Sequence, residues 1–190
     1  IVAVPVKENY RTNIIGNLLT RNVSYSVELA PWATNNNSGN TEVLADGVVI
    51  NQNGDYEISN ENGLAYAMNN LFAQGGNFYL TKALYDLTGY AVNPPAVPTG
   101  VVLNIYGETP IVTRSASDIT TVTGVEIRGL SNLIDEVVGS ASISGVKLSD
   151  DDAVLVNDAT VGTLVVSNCE AETILPEGKG KVLEADKVEN

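Results

Sequence analysis

Three groups of side chains in this sequence are of types that could do chemistry. The densest carboxylate run is Asp150-Asp151-Asp152, a candidate calcium turn, because Ca²⁺ takes several oxygens at about 2.3–2.6 Å from a tight loop. The run lacks the spaced ligands and glycine of an EF-hand loop, and no Gly-Gly-x-Gly-x-Asp repeat accompanies it; a solvated turn without metal is expected. The second group is charged. Arg128 with Lys147 could hold a uronate and accept a proton, as a polysaccharide lyase requires, and Glu126 with Asp118 or Asp150 could form the carboxylate pair of a hydrolase. Single charges on an outward face ordinarily serve solvation, so no catalytic residue is assigned. The third group is aromatic: Tyr85, Tyr90 and Tyr106, with Tyr79 close by, flank the insertion Pro94-Pro95-Ala96-Val97-Pro98. Exposed tyrosines stack on sugar rings or protein surfaces, which makes these three the candidate ligand-binding residues; packing of the insertion against its neighbours is the plainer alternative.

Composition narrows the chemistry further. Histidine is absent from the 190 residues, which removes the commonest general base and the commonest transition-metal ligand together. Cys169 is the single cysteine, so there is no intrachain disulfide and no multi-cysteine zinc site, and without a histidine to activate it the thiol is expected to pack. The formal charge is −13, from 23 acidic and 10 basic residues. A polyanion repels phosphate backbones and its few cations are scattered, which argues against nucleic acid and for solubility. No cofactor is expected. No apolar run reaches the roughly 20 residues that span a bilayer. The chain opens in strand-like sequence without a charged leader, so upstream residues are expected.

The elements that must position these groups are mostly strands. Val2, Val4 and Val6 alternate with Ala3 and Pro5, and Val23, Tyr25, Val27 and Leu29 alternate with polar residues. A polar linker occupies 34–40. One helix is marked over 60–74: Leu64, Ala67, Met68, Leu71 and Phe72 make a single apolar stripe, Ser59 or Asn60 can cap it, and Gly75-Gly76 stops it. Beyond it four segments share a frame: Leu103-Asn104-Ile105-Tyr106-Gly107, Val125-Glu126-Ile127-Arg128-Gly129, Val146-Lys147-Leu148-Ser149-Asp150 and Leu164-Val165-Val166-Ser167-Asn168. First and third positions are apolar, and the fifth is Gly, Asp or Asn, which tolerate a left-handed turn. Phe78-Tyr79-Leu80 resembles an earlier member.

From Ile105 to Ile127, Leu148 and Val166 the steps are 22, 21 and 18 residues, about one coil of a parallel β-helix. The pairs Ile111-Val112, Leu133-Ile134, Val154-Leu155 and Ile174-Leu175 keep the same phase. The fold class expected is mainly β: a short right-handed parallel β-helix with an N-terminal capping helix and an N-terminal strand segment. Its interior columns would be Leu103/Val125/Val146/Leu164 and Ile105/Ile127/Leu148/Val166, with Glu126 beside Lys147 outside. The expected organisation is 1–34 as the strand segment, 35–57 as a linker and incoming strand, and 58–190 as the helix-capped coil. Trp32, beside Pro31, is expected to anchor the first segment.

The stretch Val4-Pro5-Val6-Lys7-Glu8-Asn9-Tyr10-Arg11-Thr12-Asn13-Ile14-Ile15-Gly16-Asn17-Leu18-Leu19-Thr20 resembles the closing segment of fimbrillin-like domains of Bacteroidales surface proteins. Asn-Tyr-Arg-Thr-Asn and Gly-Asn-Leu-Leu-Thr carry the likeness, which covers about the first 30 residues. The resemblance implies export, lipid anchoring of an intact precursor to the outer membrane, and adhesion or pilus-like assembly at the surface of a Gram-negative anaerobe. The sandwich that precedes this segment in such proteins is missing here, and no ligand-binding or catalytic residues carry over. The expectation is therefore a non-enzymatic, extracellular structural or adhesive protein. Its partner would be a host or bacterial surface glycan or protein, and its only membrane link an upstream lipid anchor. The alternatives are a β-helix polysaccharide lyase or hydrolase, and a carbohydrate-binding module without catalysis.

Overall fold

The computed structural model describes residues 10–16, 25–31, 42–113 and 118–183. By contacts the chain divides into two compact units, Ile1–Asn40 and Thr41–Asn190. In the first, β1 (Tyr10–Gly16) pairs antiparallel with β2 (Tyr25–Pro31), Tyr10 opposite Pro31 and Gly16 opposite Tyr25. Trp32, the 34–40 linker and the Val2, Val4, Val6 alternation lie outside the described residues.

The second unit starts with an antiparallel meander, β3 (Glu42–Ala45), β4 (Val48–Ile50) and β5 (Tyr56–Ile58). Much of the segment expected to be a linker and an incoming strand thus supplies three paired strands. The helix α1 (Glu61–Asn70) follows. The Asn60 side chain accepts a hydrogen bond from the Gly63 N–H at 2.8 Å, satisfying a donor that the first helical turn leaves open. Leu64, Ala67, Met68, Leu71 and Phe72 are all buried, as the stripe requires. A short 3-10 turn (Phe72–Gln74) ends at Gly75, whose φ of 80° suits glycine. The chain then enters β6 (Gly76–Leu80), parallel to β5, so α1 is the crossover of a strand–helix–strand unit. Phe78 of β6 stacks on Tyr56 and meets Phe72 edge-on, tying helix end to sheet.

The remaining strands are β7 (Leu84–Asp86), β8 (Ala96–Val97), β9 (Val102–Tyr106), β10 (Glu108–Thr113), β11 (Asp118–Thr123), β12 (Val125–Arg128), β13 (Asn132–Val137), β14 (Ser140–Ser144), β15 (Val146–Leu148), β16 (Val154–Ser167) and β17 (Gly180–Val182). Apart from the antiparallel hairpin β10–β11, they pair in parallel. One run is β5-β6-β9-β14-β16, a second is β7-β12-β15, and a third is β8-β13-β16. The long β16 serves two runs: Val154 to Asp158 lie beside β13, and Thr163 to Ser167 beside β14. The fold is mainly β, with parallel strands in its sheets.

Register explains the core. Phe78, Ile105, Ile143 and Val166 are successive partners in the first run, and all four are fully buried. In the second run Tyr85, Ile127 and Leu148 face one interior, and Val125 pairs with Val146. In the third, Ile134 pairs with Val156, both buried. Full burial of each such aliphatic side chain stabilises by about 1.5–3 kcal/mol.

Two details of the expected stacking are corrected. The four framed segments do not form a single column. Leu103 and Leu164 flank Ala141 in the first run, while Val125 and Val146 lie in the second. The 22-residue step from Ile105 to Ile127 is not one coil: it is a sharp corner plus the hairpin β10–β11. The true neighbour of β9 is Ser140-Ala141-Ser142-Ile143-Ser144, whose small residues disguise it. Ile111 and Val112, expected to stack with Leu133-Ile134, belong to that hairpin instead. The rest of that second series does stack, but one residue out of the expected register: Ile134 pairs with Val156 rather than Leu155, and Val154 with Thr173 rather than Ile174.

The corner itself shows why the hairpin is tolerated. Between β14 and β15 the chain turns on Gly145 alone. The corresponding corner between β9 and β12 is split into Gly107 and Gly124, with β10–β11 inserted between them. The Gly107 N–H donates to the Ser144 carbonyl at 2.7 Å, and the Val125 N–H to the Gly145 carbonyl at 2.8 Å. A Cβ on Gly107 would stand 2.1 Å from the Gly145 oxygen, so only glycine fits. Joining Gly107 directly to Val125, with 108–124 deleted, recreates the one-glycine corner. The expected result is cooperative thermal unfolding with a midpoint moved by no more than about 4 °C, the equivalent of roughly 1 kcal/mol in a chain of this size. Loss of the cooperative transition would show that the hairpin is part of the folding unit.

Candidate functional site

The charged candidates gather on the outer face of β7, β12 and β15. Glu126 is in register with Leu84 on one side and Lys147 on the other, and Arg128 with Asp86. Glu126 does lie beside Lys147, but its ion pair is with Arg128, two residues along its own strand, at 2.7 Å. Ser149 Oγ also donates to Glu126 Oε1 at 2.7 Å. Hydrogen bonds from Ser149, then Arg128, hold the Glu126 carboxyl below the usual carboxylate range. A group so held is an anion at neutral pH and a poor general acid. Lys147 reaches the next rung and pairs with Glu170. At the helix start, Lys82 pairs with Glu61, and that contact keeps Glu61 ionised below its ordinary value. Asp118 begins β11 in the inserted hairpin.

Asp150, Asp151 and Asp152 occupy the turn between β15 and β16. Asp150 Oδ2 accepts the Leu130 N–H at 3.0 Å, clamping the neighbouring corner, and Asp152 takes a positive φ of 62°. Among the described residues no three His, Cys, Asp or Glu side chains converge as metal ligands. The Cys169 thiol is buried, 3.3 Å from the Ser167 carbonyl and 3.5 Å from that of Ile143. Among the described residues no helix is long and apolar enough to cross a membrane.

The tyrosines separate. Tyr85 is fully buried in the interior of β7, out of reach of any ligand. Its hydroxyl donates to the Ile58 carbonyl at 2.5 Å and accepts the Thr81 and Lys82 N–H groups at 3.0 and 3.1 Å. It therefore stitches the loop before β7 to β5. Strand alternation puts Tyr85 inside, because its register partner is the core residue Ile127. Tyr90 is exposed in the loop after β7, and its N–H donates to the Leu87 carbonyl. Tyr106 stands on the outer face of β9 and stacks on Tyr79 of β6, ring centroids 4.9 Å apart and planes 17° from parallel. Burial, then the Asp55 carboxylate and Tyr106, hold the Tyr79 hydroxyl above its ordinary value.

Beside this pair runs a polar ladder that the spacing argument missed. Asn104 Nδ2 donates to Asn77 Oδ1 at 2.8 Å, and Asn77 Nδ2 to Asp55 Oδ1 at 2.7 Å. The signal was present as a repeated Asn-x-Tyr, Asn77-Phe78-Tyr79 and Asn104-Ile105-Tyr106, which puts like residues on adjacent rungs once β6 and β9 are paired.

Compared with protein-family models, curated proteins and solved structures, the chain finds no significant match in any of the three.

Burial pushes the Tyr85 phenol up to about 12, against about 10 in an unfolded chain. The unfolded state loses this proton first. The contribution is intact below about pH 10 and disappears as pH rises towards 12, on the order of 3 kcal/mol in all. Tyr85→Phe is expected to destabilise the protein at neutral pH by about 1–3 kcal/mol, through the hydrogen bonds it removes. It should also abolish the highest-pH component of the tyrosinate absorbance titration. An unchanged titration would place the buried phenol elsewhere.

Proposed function

We propose that this chain is a non-enzymatic structural or adhesive module of the cell surface of a Gram-negative anaerobe, built as a short right-handed parallel β-helix with α1 at its N-terminal end. The observation that carries the non-enzymatic reading is the placement of four of the charged candidates, Glu126, Arg128, Lys147 and Asp150, each engaged in a structural contact. Glu126 is held by Arg128 and Ser149, Lys147 reaches Glu170, and Asp150 accepts a backbone N–H.

The solenoid reading is supported by the order in which the chain visits its parallel runs. It goes through β6, β7 and β8, then β9, β12 and β13, then β14, β15 and the first part of β16, before β16 rejoins the first run. Such a coil has a dry interior, so only its outer walls and inserted loops meet a partner. The surface location draws on the resemblance of residues 4–20 to fimbrillin-like segments. It also suits the acidic composition, with 23 Asp and Glu against 10 Lys and Arg.

The test has two arms. Incubated with a panel of acidic and neutral polysaccharides, the purified protein is expected to release no reducing or unsaturated ends. On intact cells that express the full-length protein, it is expected to be accessible to antibody and to added protease. Sugar release abolished by Arg128→Ala or Lys147→Ala would overturn the non-enzymatic reading, and protection on intact cells would overturn the surface assignment.

A further inference from the structure

The outer face of the first parallel run changes abruptly in side-chain size. Along one column the partners are Glu57, Tyr79, Tyr106, Ser144 and Ser167; along the next, Asn77, Asn104, Ser142 and Val165. The step from β9 to β14 therefore drops from a tyrosine and an asparagine to two serines. Tyr79 and Tyr106 stack at the spacing of neighbouring strands, about 4.8 Å, so their rings stand across the sheet with faces along the pairing direction. One face of Tyr106 is covered by Tyr79, and the opposite face looks towards β14. What results is a ledge. Tyr106 is the wall, half-exposed Ser142, Ser144, Val165 and Ser167 are the floor, and Asn104 lies at the inner corner.

We propose that this ledge binds a neutral pyranose residue of a glycan. A pyranose offers an apolar C–H face and a rim of hydroxyls. The Tyr106 face turned towards β14 suits the first, and the serine hydroxyls and Asn104 amide suit the second. The small floor residues leave room for a ring two strands wide. Charge selects against acidic sugars: Asp55 ends the adjacent asparagine ladder, Glu57 ends the tyrosine column, and the whole chain carries −13. The site deepens the adhesive reading and rests on it for its biological setting, but its binding test stands apart from cell-surface exposure.

The experiment uses the purified full chain on an array of neutral hexose and N-acetylhexosamine oligosaccharides alongside sialylated and uronate-containing ones, followed by calorimetry with the strongest neutral binder. Binding to neutral members is expected, weakened at least about tenfold by Tyr106→Ala. Ser144→Gln, which fills the ledge and leaves Tyr106 in place, should weaken it equally. Both variants are checked for a wild-type thermal transition, and the Ser144 variant decides the matter if Tyr106→Ala unfolds. No binding to neutral glycans, preference for acidic ones, or binding indifferent to Ser144→Gln would each overturn the proposal. Surface exposure found together with any of these results would leave the structural reading standing and remove only the ledge.

Discussion

Parallel strands in register put like positions on top of one another, and in the second unit this makes the aliphatic interior continuous. Phe78, Ile105, Ile143 and Val166 form one such line, and Tyr85, Ile127 and Leu148 another. Within each run a side chain lies beside like side chains of the adjacent strands, and the three runs and the helix share one core. The constraint reaches the corners, since rungs can stack only as closely as their turns allow. At Gly107 and Gly162 an added Cβ would stand 2.1 and 2.3 Å from a backbone oxygen of the next rung. Corner glycines are thus a consequence of the core spacing, and the hairpin β10–β11 could enter only where it kept such a corner.

The same register writes ladders on the outside. Asp55, Asn77 and Asn104 pass hydrogen bonds from rung to rung, and Tyr79 stacks on Tyr106. On another wall, Glu126 and Arg128 share a strand and Lys147 meets Glu170. These exposed pairs add little stability individually. On the first run's outer face, tyrosine gives way to serine from Tyr106 to Ser144.

Much of this was legible in the sequence, and the failures have definite causes. The helix stripe from Leu64 to Phe72 was visible because its period of 3.6 is unbroken and its caps are strong. The neighbours Glu126 and Lys147 were visible because β12 and β15 pair in parallel at the 21-residue step read from the sequence. The pairing of Leu103 with Val125 failed because a hairpin and a corner together mimic a coil in length. Strand β14 escaped because serine and alanine at four of its five positions lower its apolar contrast. Tyr85 was misplaced because phenol chemistry suits both surface and core; its direction depends on strand phase, which a three-residue strand barely displays. Tyr106 was a candidate from the start, but its partner Tyr79 and the serine floor needed the true register.

That register is the central claim, and cysteine cross-linking reads it directly. Asn104 and Ser142 are lateral partners on adjacent strands, about 4.8 Å apart at Cα and within disulfide reach, whereas Glu126 lies in a different run. Under mild oxidation the double variant Asn104→Cys with Ser142→Cys should form an intramolecular disulfide, and Asn104→Cys with Glu126→Cys should remain reduced. The reverse pattern would mean that the framed repeats stack directly on one another, and it would contradict both the three parallel runs and the ledge built on them.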